Sequence, residues 1–155
     1  TVIVVGEYAF HLSTGLTEVV LPSTLKDIKK CGFFNCSKLT ELYLPSKVET
    51  IGNSAFGSCA NLSKIVMSNG ITSLGNWCFA GCKSLENIEL PTTLTTFGEG
   101  SFSDCPKLTA ISIPEGTTTI RMDFGYTPLG TITVGGVELT IPEGSTATRI
   151  YITIQ

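Results

Sequence analysis

Charged side chains are scarce in this chain. They make up 15% of its 155 residues, against roughly 25% in ordinary soluble domains, so the surface must be built largely from Ser, Thr and Asn. The formal net charge of −3 and pI near 5.1 come without any cluster of Lys or Arg, which argues against nucleic acid or anionic lipid as partner. No apolar run approaches the ~18 residues of a membrane-spanning helix, and the opening TVIVV is too short and lacks the basic leader of a signal peptide. The chain reads as soluble, and its start without Met as that of a mature chain or an excised fragment. Histidine occurs once, at His11, and no Gly-rich phosphate loop is present.

What is present is hydrophobic and repetitive. The 42% hydrophobic content and mean hydropathy of +0.30 exclude a disordered chain, and the length suffices for one core without metal or disulfide staples. AFGSCANL at 55–62 and CFAGCKSL at 78–85 are the same phrase displaced by one period. Aligning every 23rd residue starts units at Val5, Ile28, Ile51, Leu74 and Phe97, with a degenerate sixth at Ile120. Position 6 is then always Phe (Phe10, Phe33, Phe56, Phe79, Phe102) and position 12 always Leu (Leu16, Leu39, Leu62, Leu85, Leu108).

Positions 15 and 17 carry Val19, Leu42, Ile65, Ile88, Ile111 and Leu21, Leu44, Met67, Leu90, Ile113. This LxxIxL spacing is that of a leucine-rich-repeat strand. Strand alternation turns positions 15 and 17 inward and 14 and 16 outward. Pro22, Pro45, Pro91 and Pro114 follow at position 18, where a missing N–H ends the ladder; Ser68 is the exception. A short second strand is expected near position 21 (Leu25, Val48, Ile71, Leu94), then Gly at position 2 in all units but the second, which has Lys29. Positions 3–9 read as one or two helical turns presenting Phe inward.

Such a unit cannot bury its apolar side alone, so stacked copies form the core. Beyond Ile120 neither the Phe nor the Leu column can be followed. VGGV at 134–137 reads as a hairpin turn, RIYITIQ as a last strand, and LTIPEG at 139–144 as an echo of ISIPEG at 111–116. The division is therefore 1–119, repeats, and 120–155, a degenerate repeat with a β-rich C-terminal cap.

IGNSAFGSCANLSKIVM, with IKKCGFFNCSKLTELYLP and LGNWCFAGCKSLENIELP, strongly resembles the BspA-like class of leucine-rich repeats over residues 5 to about 120. Departures from the pattern are Lys29 for Gly, Ser68 for Pro and Ser13 for the motif Cys. The resemblance implies a curved α/β solenoid: a right-handed coil with a parallel β-sheet on one face and short helical turns. It also implies a secreted or cell-surface bacterial protein serving adhesion or protein binding, with no catalytic motif.

The cysteines fit architecture. Cys36, Cys59, Cys82 and Cys105 share position 9, where stacked Cβ atoms run parallel instead of facing one another, so buried free thiols are favoured over disulfides or a metal site. Cys31 and Cys78 read as small-residue substitutions. His11 reads as a tolerant surface position, since its counterparts are Phe34, Gly57, Ala80 and Ser103. NCS at 35 and NLS at 61 match glycosylation sequons, a weak signal outside a secreted eukaryotic context. No cofactor is expected.

The outward ladder varies where the core columns do not. Position 14 reads Glu18, Glu41, Lys64, Asn87, Ala110 and position 16 reads Val20, Tyr43, Val66, Glu89, Ser112. Val20, Tyr43 and Val66 predict a contiguous apolar strip flanked by Glu41 and Lys64, although Val and Tyr are also plain strand formers. Glu18, Val20, Glu41, Tyr43, Lys64, Val66, Asn87 and Glu89 are the candidate ligand-binding residues, for a protein ligand that could be a host surface protein. Stacked Glu18 and Glu41 are a solvated face more readily than an acid/base pair. Five coils at ~4.8 Å by three residues at ~3.3 Å span roughly 24 by 10 Å, less than the ~800 Å² per partner of a standard interface, so either the natural array is longer or binding uses edges and loops too; the chain is expected as a monomer or part of a longer array. A structural spacer without a ligand is the alternative, and a catalytic site in the cap, from Asp123, Tyr126 and Arg149, the weakest reading.

Overall fold

The computed structural model describes residues 2–115, 119–125, 127–141 and 149–153. Each coil contributes a two-residue strand where the large apolar residue of position 1 meets its predecessor. These are β1 (Val4–Val5), β2 (Asp27–Ile28), β4 (Thr50–Ile51), β6 (Ser73–Leu74) and β7 (Thr96–Phe97). They pair in parallel, each residue opposite its counterpart one period on, as in Ile28 with Ile51 and Leu74 with Phe97. With β9 (Thr119–Asp123) and β12 (Arg149–Thr153) they form a 7-stranded sheet.

The LxxIxL segments make the second ladder. β3 (Glu41–Tyr43) pairs in parallel with β5 (Lys64–Val66), isolated bridges continue it from Val66 to Glu89 and from Glu89 to Ser112, and β8 (Ala110–Ile113) pairs with β10 (Thr131–Val134). A hairpin joins β10 to β11 (Val137–Thr140), and Gly135 and Gly136 at φ 51° and 82° give the twin positive dihedrals of a type I′ turn. Both sheets end on an antiparallel strand, β11 and β12, which breaks the parallel template at that end.

The expected helical turns at positions 3–9 are not formed: the described residues contain no helix, and the architecture is a parallel-strand β-solenoid, not α/β. The reason lies in where the N–H groups go. Odd positions close tight turns within the coil, as Ala55 N–H to Gly52 O at 3.2 Å and Gly57 N–H to Ser54 O at 3.1 Å. Even positions donate to the next coil, as Cys31 to Asn53 O, Phe33 to Ala55 O and Asn35 to Gly57 O at 2.8–3.0 Å. A helix would need every N–H for its own segment. Positive φ recurs at positions 4 and 8, from Tyr8 (58°) and Leu12 (59°) to Gly100 (64°) and Asp104 (54°), interrupting right-handed propagation twice per coil.

The core is a set of columns. Neighbouring Phe rings stack face to face with centroids 4.9–5.8 Å apart and planes within 4–8°. Phe33, Phe56 and Phe79 are fully buried, whereas Phe10 in the first coil is 39% exposed. Glycine at position 2 answers to close approach rather than to turn geometry: a Cβ on Gly52 would lie 2.7 Å from the carbonyl carbon of Lys29, and one on Gly75 2.5 Å from the amide of Asn53. Position 18 supplies only a carbonyl, accepting from position 21 as in Val48 N–H to Pro45 O at 3.1 Å, so Pro loses nothing there. At the exception, the Ser68 hydroxyl donates to Pro45 O at 2.8 Å.

The sixth coil keeps the columns that the sequence alone hides. Phe124 is 2% exposed, and its carbonyl accepts from Thr127 N–H at 2.8 Å, the bond that runs from Cys82 to Phe79 two coils earlier. Leu129 and Ile132 are buried, with Ile132 opposite Ile111. The offset between coils is 23 residues at Thr96–Thr119 but 21 at Ile111–Ile132. Two deletions within one coil defeat a fixed-period alignment. Of LTIPEG, Pro142 onward lies outside the described residues.

Candidate functional site

β3 and β5 present their outward side chains side by side because parallel register sets Glu41 against Lys64 and Tyr43 against Val66. Tyr43 is 54% and Val66 41% exposed. The Tyr43 hydroxyl donates to Glu41 Oε2 at 2.8 Å, two residues away on the same face, and accepts from Lys64 Nζ at 3.2 Å. Lys64 Nζ also stands 5.3 Å from the centre of the Tyr43 ring, within cation–π range. The hydrogen bond to the Tyr43 hydroxyl, with the Glu41 carboxylate behind it, raises the Lys64 pKa above its ordinary value. Acid, phenol and ammonium thus form one ordered polar chain across two coils. Asn87 and Glu89 are exposed further along the ladder, with Glu89 held by its backbone bridges.

The first coil does not join. Glu18 and Val20 belong to no strand, and no backbone hydrogen bond links residues 17–21 to β3. The same coil is tied to the second elsewhere, by Tyr8 N–H to Lys30 O, Phe10 N–H to Gly32 O and Leu12 N–H to Phe34 O. The two coils therefore part on the ladder side alone, leaving a groove of ≈ 450 Å³ lined by Thr17, Glu18, Val19, Val20, Leu21, Thr40, Glu41 and Tyr43. The expected contiguous strip is corrected accordingly. Tyr43 and Val66 are adjacent, while Val20, 86% exposed, stands across the groove, and Glu18 and Glu41 flank it instead of stacking.

The thiols lie on the opposite side of the chemistry. Cys36, Cys59, Cys82 and Cys105 are free and buried, and each Sγ–H donates to the position 6 carbonyl of the preceding coil: Phe10, Phe33, Phe56 and Phe79, at 3.2–3.4 Å. Burial pushes the Cys59 and Cys105 thiols up to about 12 and raises Cys78 and Cys82 as well. Such groups are poor nucleophiles at neutral pH. In the sixth coil Thr127 takes the cysteine's place, its hydroxyl donating to Phe102 O at 2.7 Å.

Sequence reasoning passed over an aromatic cluster on the turn face. His11 is half-buried and stacks on Phe34, one coil on, with centroids 5.5 Å apart, while Tyr8 meets His11 edge-on and lies 5.7 Å from Lys30 Nζ. The shared repeat position of His11 and Phe34 was the available signal. Of the cap residues weighed for catalysis, Arg149 stands opposite Asp123 in the β9–β12 register, and Tyr126 lies outside the described residues. Among the described residues no group of three or more His, Cys, Asp or Glu could hold a metal ion, and no helix is long and apolar enough to cross a membrane.

Comparison with known proteins agrees with the coil geometry. The chain superposes on a T. pallidum leucine-rich repeat protein (28% identity, TM-score 0.76, covering 88% of this chain and 64% of that one). It is also similar to a leucine-rich repeat protein from Bacteroides ovatus ATCC 8483 (33%, 0.65, 70% and 29%). A third is a leucine rich cell surface protein from Faecalibacterium prausnitzii A2-165 (30%, 0.67, 76% and 31%). The chain thus spans less than two thirds of the length of each. No curated protein matches it. Solenoids of this kind are typically non-enzymatic scaffolds. With residues 3–126 matching in 6 copies, the chain belongs to the BspA type leucine-rich repeat family.

Proposed function

We propose that this chain is a non-enzymatic recognition module of a secreted or cell-surface bacterial protein, binding a protein ligand on the outward face of its strand ladder. The observation that carries the reading is the Glu41–Tyr43–Lys64 chain: an aromatic ring held in place by a hydrogen bond on each side of its hydroxyl, and still half exposed. A pre-ordered Tyr loses little side-chain freedom on binding and is a favoured interface anchor. Val66, Asn87 and Glu89 extend the same face, and Glu18 and Val20 border it across the groove. The naming of the F. prausnitzii relative as a cell surface protein supports the location. A host extracellular protein would fit an adhesive role, with this array as a segment of a longer one.

The test is solid-phase binding to a panel of extracellular-matrix proteins, mucins and glycans, comparing the wild-type chain with a folded Tyr43→Ala, Lys64→Glu variant. Saturable binding lost in the variant supports the ladder as recognition face. Binding that survives moves recognition to the turns or the C-terminal strands, and absence of binding favours a spacer within a larger surface protein.

A further inference from the structure

We infer that the groove between the first two coils accepts an extended peptide as an added parallel strand on the open edge of β3. This deepens, and rests on, the reading of the ladder as a recognition face. The argument begins with backbone direction. Thr40 O accepts from Ser63 and Lys64, and Leu44 N–H donates to Val66 O, so positions 40, 42 and 44 turn their polar groups to the third coil. Alternation then directs the N–H and C=O of Glu41 and Tyr43 to the first coil, whose residues 17–21 offer them no partner. Two donors and two acceptors face the groove at strand spacing, the pattern that strand addition uses.

The lining states the chemistry of the occupant. Its outward walls are the carboxylates of Glu18 and Glu41 at position 14 and the apolar Val20 and Tyr43 at position 16. Half-buried Val19 and Leu21 border the inward side. The matching segment is basic, then apolar inward, then apolar outward. β3 already pairs with such a segment on its other edge, Lys64-Ile65-Val66. The Glu41 carboxylate takes one hydrogen bond from Tyr43 and Glu18 makes no ion pair among the described residues, so both can receive an incoming cation.

The probe is an amidated pentapeptide with the sequence of residues 63–67, carrying fluorescein on its N-terminus, added to the whole chain and followed by fluorescence anisotropy together with amide hydrogen exchange. We expect saturable binding, slowed exchange at the Glu41 and Tyr43 amides, and no binding by a peptide N-methylated on the residues that face β3. Replacing the peptide Lys by Glu should weaken binding about tenfold, the scale of one charge-assisted hydrogen bond, and Glu18→Lys in the protein, which leaves Glu41 as the one carboxylate facing the groove, should abolish that preference. Slowed exchange at the two amides that grows with protein concentration and needs no peptide would assign the edge to a second copy and overturn the inference. Binding without protection of those amides also overturns it, as does no binding at all. None of these three outcomes touches the recognition face as such, which the panel of protein ligands tests separately.

Discussion

The Cys59 thiol donates to the carbonyl oxygen of Phe33, 26 residues earlier, across a coil boundary at 3.2 Å. One small side chain thereby fills the column, and its weak donor meets a carbonyl that also accepts from the Cys36 amide. Ala would keep the fit and lose the donor and the sulfur volume, so Cys59→Ala should cost about 1–2 kcal/mol, read as a lower urea midpoint at unchanged slope.

The same burial makes stability pH-dependent in alkali. A thiol with an ordinary value of 9.0 is held up to about 12 in the fold at Cys59 and Cys105. Above pH 9 the unfolded chain releases these protons while the folded chain keeps them, so unfolding becomes easier as pH rises. The contribution is complete below pH 9 and lost towards pH 12, and denaturation midpoints measured between those limits should fall less steeply in a Cys59→Ala, Cys105→Ala variant than in the wild type. A slope identical in both would refute the assignment.

Ring stacking predicts a gradient along the array. Phe56 is fully buried with a ring on each face, and its replacement by Ala should cost about 3–5 kcal/mol. Phe10 stacks on one side only and is 39% exposed, so Phe10→Ala should cost less than half as much. Equal losses in thermal unfolding would mean that Phe10 is more buried than its geometry indicates.

The position 2 glycines should separate by location. A Cβ at Gly75 meets backbone atoms of Asn53 and Gly52 at 2.5 Å, whereas at Gly6 nothing lies within 4 Å. Gly75→Ala should therefore push two coils apart and destabilise markedly. Gly6→Ala should be neutral or gain about 0.4–1 kcal/mol by restricting the unfolded chain. Circular dichroism melts of the two variants check this directly.

Outward residues should behave oppositely to all of these. Tyr43→Ala and Lys64→Glu remove exposed groups joined by solvent-accessible bonds, and each should change stability by about 0.5 kcal/mol or less while altering ligand binding.

How much was legible follows from what each feature depends on. The Phe and Leu columns, the inward alternation at positions 15 and 17 and the Gly135–Gly136 hairpin are visible in the residues. The turns at positions 3–9 are not, because whether Phe33 N–H bonds within its segment or reaches Ala55 O is decided by a chain 22 residues away. Non-glycine residues such as Tyr8 and Trp77 at φ 58° carry no mark of the left-handed backbone they adopt. Phe124, Thr127 and Leu129 were hidden for a simpler reason, two deletions that shift the column between its first and last members.

The sequence by itself determined the repeat and its core, since stacking copies of one unit gives every coil the same neighbours and makes a fixed spacing the condition for burial. It also placed Glu41, Tyr43, Lys64 and Val66 on one face by alternation. Only the tertiary structure decided that Tyr43 is braced between Glu41 and Lys64, and that the first coil parts from the second beside it. Both depend on distances between coils, and the first coil bonds its backbone to the second along residues 8–12 while residues 17–21 make no backbone bond to β3.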